Sequence, residues 1–201
     1  MKMAYIIIGI ILAGGLVFYL TSCKGKSTTD NNTTTNADTS KVKVHETQEN
    51  TFDGLRNMAF SVTPDQLGLS LPTDKTVVYG VIMDWEMGGA TATTVSYQTG
   101  DASLYLSSGG GVIGGGQHEN VNSAAKQFVG LAQTFLDKAT KTETTTLPTT
   151  DQVKFYLLTN NGIYVGQDKM NNFENNSSEW LKLFEEGNKV LTELRMTTEN
   201  K

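Results

Sequence analysis

From residue 76 onward the chain switches between two hydrophobic periods. Apolar positions two apart mark strands at Thr76–Glu86, Thr91–Gln98, Ala102–Ser108, Val153–Thr159 and Ile163–Gln167. Side chains of a strand point to its two faces in turn, so this period predicts a sheet. The first run departs from strict alternation. Val77, Tyr79, Val81, Met83 and Trp85 share one face, but Val78 and Ile82 make the other apolar too, which predicts a strand at the centre of its sheet. Gly88-Gly89 and Thr99-Gly100-Asp101 turn the chain, and Asn160-Asn161-Gly162 carries the Asn-Gly pair favoured in tight hairpins.

Spacings of three and four predict the helices. Phe52, Leu55 and Met58/Ala59 follow Thr51 as N-cap. Thr63-Pro64-Asp65-Gln66 has the form of a capping box, with Gly68 as its stop. The longest stripe, over about Glu119–Ala139, holds Val121, Ala124, Ala125, Phe128, Leu131, Ala132, Phe135 and Leu136. A last stripe runs from Trp180 through Leu183, Phe184, Gly187, Val190 and Leu191 to Leu194. Gly187 lowers helix propensity inside that stripe, which predicts a close approach of helix to sheet. Thr140–Thr150 reads as a connector and Asp168–Asn176 as a mobile loop.

Helix, three strands, helix, two strands, helix is an α+β order. It predicts a single five-stranded antiparallel sheet packed by three main helices. Placing the fifth strand beside the central first gives the order 3-2-1-5-4, with the long helix crossing one face from edge to edge. This arrangement is similar in outline to the profilin, roadblock and longin group of small sheets, a likeness of topology that implies no function. Tracking strand direction puts Asp84, Trp85, Glu86, the glycine-rich bend after the third strand, the start of the long helix and the Asn-Gly turn on one rim.

Ahead of this domain (51–198) stand two segments of different character. Residues 1–23 pair Lys2 with an unbroken apolar run, Ala4–Leu20, as a targeting leader does. Leu20-Thr21-Ser22-Cys23 resembles the lipobox of bacterial lipoproteins. The resemblance implies a signal peptide cleaved before Cys23, lipid on that cysteine, and a domain held outside the cytoplasm on the cell membrane or outer membrane. An uncleaved signal anchor is the alternative. Residues 24–50 are Thr/Asn-rich and nearly free of large apolar side chains, which predicts a disordered tether.

Charge and cysteine usage narrow the chemistry. The 201 residues carry a net charge of −5 and one cysteine, so no disulfide forms within the domain. Arg56 and Arg195 are the only arginines and the lysines do not cluster, so nucleic acid is not an expected partner. The candidate ligand-binding stretch is Gly109, Gly110, Gly111, Gly114, Gly115, Gly116, Gln117 and His118. Glycines allow close backbone approach, and a helix N-terminus presents free N–H groups. Its G-x-G-x-x-G match is trivial in a glycine run. His118 with Asp84 or Glu86 is the one catalytic combination on offer; no metal set and no cofactor are expected, since the other histidine, His45, lies in the tether.

Three readings follow. The first is a lipid-tethered, non-enzymatic module for a protein or envelope partner. The second is a small-anion-binding domain using Gly109–Gly116 and the helix start. The third is a hydrolase built on His118.

Overall fold

The computed structural model describes residues 51–199; the leader, the tether and Cys23 lie outside the described residues. Thr51 caps the first helix, α1 (Phe52–Ser61), its hydroxyl accepting from Gly54 N–H at 3.1 Å. The capping box closes as its residues predict. Thr63 N–H donates to Gln66 Oε1 at 2.9 Å over a 3-10 turn, Asp65–Leu67, and Gly68 ends that turn at φ 68°.

Seven strands form one antiparallel sheet: β1 (Val78–Glu86), β2 (Thr91–Tyr97), β3 (Ala102–Leu106), β4 (Gly111–Val112), β5 (Thr140–Thr142), β6 (Gln152–Thr159) and β7 (Gly162–Lys169). Their order is β4-β3-β2-β1-β6-β7-β5. The expected count of five is corrected by β4 and β5, edge strands of two and three residues that are too short to show alternation. The expected order 3-2-1-5-4 is corrected as well. β1 is central, but its neighbour is β6, the fourth predicted strand, with Met83 opposite Phe155 and Asp84 opposite Lys154. The physical reason lies in β6 itself. Val153, Phe155 and Leu157 are buried on one face, Tyr156 and Leu158 on the other, and a strand apolar on both sides is most stable between two neighbours. The likeness to profilin-type sheets was drawn on the order that this one replaces.

This exchange inverts the end of the hairpin. Because β6 runs antiparallel to β1, Thr159 lies opposite Val78. Asn160-Asn161-Gly162 therefore turns at the pole where β1 begins, not at the Gly88-Gly89 pole where Asp84 and Glu86 lie. Asn160 fastens it there, accepting from Val77 N–H at 2.9 Å and donating to the Pro72 and Lys75 carbonyls.

Helices cover both faces. On one, α2 (Glu119–Ala132) and α4 (Leu181–Glu199) bury Val81, Met83, Phe128, Phe155, Leu183 and Leu194. On the other, α1 and the segment after it cover Ile82, Val95, Tyr97, Tyr156 and Leu158. A bulge between Val78 and Gly80 reassigns two residues: Tyr79 joins Ile82 under α1, and Val78 joins Val81 and Met83. The extra residue of a bulge shifts the alternation by one, which the simple pattern misses. Tyr79 and Tyr97 then donate to the Val62 and Ala59 carbonyls at 2.9 and 2.7 Å, tying the end of α1 to the sheet.

The long helical stripe is α-helical to Ala132 and continues as a 3-10 helix, Gln133–Lys138, into β5. It thus carries the chain from the β4 edge to the β5 edge. Gly187 in α4 fits its expected role: an added Cβ would lie 2.6 Å from Met83 Sδ. The expected mobile loop, Asp168–Asn176, instead completes β7 and forms a fourth helix, α3 (Met170–Glu174). Phe173 anchors it, buried between Phe155 and Phe184. Trp180 stacks on both Phe155 and Phe135 and lies flat over Gly166.

Two glycines should respond in opposite directions. A Cβ at Gly166 would fall 2.0 Å from the Trp180 ring, so Gly166→Ala should lose about 1–3 kcal/mol through overpacking. A Cβ at Gly130, inside α2, meets nothing within 4 Å. Gly130→Ala should therefore gain about 0.5–1 kcal/mol from helix propensity alone. Urea denaturation of the two variants beside the parent protein checks both signs.

Candidate functional site

The densest polar cluster is buried under α1. Asp84, on the α1 face of β1, has no solvent exposure, and Arg56 from α1 is almost as deeply buried. Arg56 Nη2 lies 2.5 Å from Asp84 Oδ2 and Nε lies 3.1 Å from the same oxygen, a two-pronged ion pair. Thr93, directly opposite on β2, donates its hydroxyl to Asp84 Oδ1 at 2.6 Å. The guanidinium sits 4.8 Å from the centre of the Phe60 ring and 5.7 Å from that of Tyr156. Charge, donors and aromatic faces all converge on one carboxylate.

Both acidic residues offered as partners for His118 are engaged elsewhere. Asp84 is consumed by Arg56 and Thr93. Glu86 is partly exposed and holds two turns together, accepting from Gly89 N–H at 2.5 Å and Asp151 N–H at 2.8 Å. Those backbone bonds, Gly89 foremost, hold its carboxyl below the usual range. Asp168 is also held low: burial raises it, but Ser178, Asn172 and the Lys169 N–H together outweigh that.

Beside the ion pair, Lys154 donates to Thr146 Oγ1 at 2.9 Å and to its carbonyl at 3.2 Å, while the Tyr156 hydroxyl donates to the same carbonyl. Burial lowers the Lys154 pKa, and the neighbouring Asp84 opposes the shift. These bonds strap the connector after β5 across the sheet. Arg56 is the member that sequence reasoning missed. It had a signal: Phe52, Arg56 and Ala59 lie on one helical stripe, so an arginine occupies an apolar position.

The glycine stretch does not surround one point. Gly109 and Gly110, at φ 102° and 83°, turn between β3 and β4 at the Gly88-Gly89 pole. Gly111 passes so close to β3 that a Cβ would meet the Leu104 carbonyl oxygen at 2.1 Å. β4 then carries the chain back along the sheet edge to the opposite pole. There Gly114 takes φ 71°, Gly115 lies under Leu194, and Gly116 packs on Asp101. Gln117 and His118 are exposed at the start of α2. His118 occupies the N-cap position without a side-chain cap bond, and Asn122 closes the turn by donating to the Thr99 and Gly116 carbonyls. The expected common rim is therefore divided between two poles.

The positive end of α2 already has negative neighbours. Asp101 Oδ1 lies 2.8 Å from where a Gly116 Cβ would stand, and Glu119 fills the first turn. His118 is at the opposite pole and on the opposite side of the sheet from Asp84, so the structure does not bring that pair together. Among the described residues no group of three or more His, Cys, Asp or Glu is placed to hold a metal ion. No protein-family model matches the chain, and neither a curated protein nor a solved structure is significantly similar to it.

Two measurements probe the cluster. Arg56→Met and Asp84→Leu should each cost about 3–5 kcal/mol, because each strands a buried charge, while the double variant recovers most of that loss. A double-mutant cycle by urea denaturation gives the coupling. For Glu86, a folded pKa below the unfolded one means its stabilisation is full above the ordinary carboxylate range. It is lost as pH falls through the folded value. Glu86→Gln should flatten the acid limb of a thermal-midpoint-against-pH curve, leaving the Asp168 contribution in place.

Proposed function

We propose that the protein is a lipid-tethered, extracytoplasmic binding module, anchored through Cys23 and acting by interaction rather than by chemistry on a substrate. The observation that carries this reading is the succession Leu20-Thr21-Ser22-Cys23, a Thr/Asn-rich segment, and a domain whose first helix is capped by Thr51. A random-coil tether of this length holds a domain roughly 25–30 Å from its anchor on average. That is room enough to reach a partner at a membrane surface.

Three of the ionisable groups in the domain support the same reading. Asp84 is neutralised by Arg56, Glu86 holds two turns, and Lys154 straps a loop. Each is engaged in holding the fold. A partner in the cell envelope, protein or otherwise, is the expected counterpart.

Mass spectrometry of the protein purified from membranes tests the anchor. The mature chain should begin at Cys23 and carry acyl mass on its N-terminal peptide. Cys23→Ala should accumulate with residues 1–22 still attached and without added lipid. A wild-type chain that keeps its leader would overturn the lipoprotein assignment in favour of a signal anchor.

A further inference from the structure

A groove of about 540 Å³ opens between the start of β1 and the outer side of α2, a volume within the range of small-ligand sites. Its floor is apolar, made by half-buried Val77, the little surface that Val78 and Val129 leave uncovered, and the bare backbone of Gly130. Lys75 stands on the strand bank and Lys126 on the helix bank, with Gln98 at one end. No carboxylate lines it among the described residues.

Three observations bear on what this groove could hold. Gly130 has no packing reason to be glycine, since a Cβ there meets nothing within 4 Å. Its bareness, one helical turn from Lys126, leaves the floor open. The groove's lysines are also unspent. Among the described lysines, Lys138 and Lys189 pair with carboxylates and Lys141 and Lys154 hold hydrogen-bond partners, whereas the side chains of Lys75, Lys126, Lys169 and Lys182 have neither. Of these four, Lys75 and Lys126 line one groove. The Gln98 side chain likewise has neither among the described residues. The wall is fixed as well: Gln133 accepts from Val78 N–H at 2.8 Å and donates to the Thr76 carbonyl at 3.3 Å.

Two uncompensated ammonium groups over an apolar floor, in a chain of net charge −5, call for a carboxylate attached to a small apolar body. We propose that the groove binds the C-terminal end of a peptide chain whose last residue is small and apolar. Lys75 and Lys126 take the terminal carboxylate, the valine floor takes the side chain, and Gln98 bonds a backbone amide. The proposal rests on the binding-module reading and names its partner class.

The test uses the full chain in lipid nanodiscs and three fluorescein-labelled peptides read by anisotropy. They are Ala-Ala-Val with a free carboxylate, the same peptide as its C-terminal amide, and Ala-Asp-Val amide, which carries a side-chain carboxylate instead. The free acid should bind at least tenfold more tightly than either amide. Lys75→Gln with Lys126→Gln should remove that preference. Gly130→Leu should abolish binding with a thermal midpoint no lower than the parent's, because leucine is a good helix former. Equal binding of acid and amide, equal binding of Ala-Asp-Val amide, no binding of any peptide, or full binding by Gly130→Leu would each overturn the assignment. Failure here leaves the acyl mass on Cys23 untouched, and absence of that mass leaves peptide binding untouched, so the two readings fall separately.

Discussion

A carboxylate with no solvent exposure in the middle of a sheet must be met by a cation and by donors, because burying it unpaired costs far more than a fold can spare. Asp84 imposes that demand, and much of the architecture on its face answers it. Arg56 reaches it only if α1 lies over this face of the sheet; Thr93 meets it only in the register that sets Asp84 opposite Thr93. Phe60 and Tyr156 then cover the guanidinium and keep water out. A one-residue slip of β1 against β2 would turn Asp84 away from Arg56 and into the large apolar core. The ion pair thus specifies register and helix position together, whatever its net contribution to stability.

The two faces of the sheet are held by different means. Under α2 and α4 the contacts are nearly all apolar and aromatic, with Phe155 stacked on Trp180 and Phe173 tilted against Phe184. Gly187 and Gly166 let those large groups approach backbone closely. Two hydroxyls on this face, Thr94 and Ser96, are buried without a partner, so small side chains count for more there than hydrogen bonding does. Under α1 the apolar cover is thinner: Phe52, Leu55, Phe60, Leu67, Leu69 and Leu71 are only partly buried. Directional bonds supply what area does not. The Tyr79 and Tyr97 hydroxyls, whose pKa values burial raises, donate to carbonyls at the end of α1.

Most of the elements were legible because their signals are local. Thr51, the Thr63–Gln66 box and the Asn160–Gly162 turn each encode their geometry within a few residues. Strand order is not local, and there the simplest path misled. Either strand of the β6–β7 hairpin could lie beside β1, and the two-faced apolar run Phe155-Tyr156-Leu157-Leu158 of β6 decides which one does. The candidate site shifted for the same reason. Asp84 looks like any acidic residue near a strand end until Arg56, 28 positions earlier, is known to face it. The glycine stretch looked like one cradle because its two halves adjoin in sequence. Two residues of β4 are enough to carry them to opposite poles.

Those short strands also bear on how a partner is met. A long, flat edge would recruit partners by strand addition. Here one edge is Gly111–Val112, flanked by glycine turns, and the other is Thr140–Thr142, where Lys141 bonds Asn161. Neither offers a run of free backbone groups long enough to fix another strand in register. For the proposed binding module, recognition would be left to side chains on the faces and poles. At the pole where β1 begins, the Gly100 turn, the Asn160 turn and the flank of α2 come together, and Gln133 and Asn160 fix the backbone between them. Side-chain bonds, one of them to the Lys75 carbonyl, thus hold that pole rigid without drawing on the side chains of Lys75 or Lys126. A wall fixed in this way loses little conformational entropy when a ligand arrives, so the ordering cost of the proposed groove falls on the two lysine side chains alone.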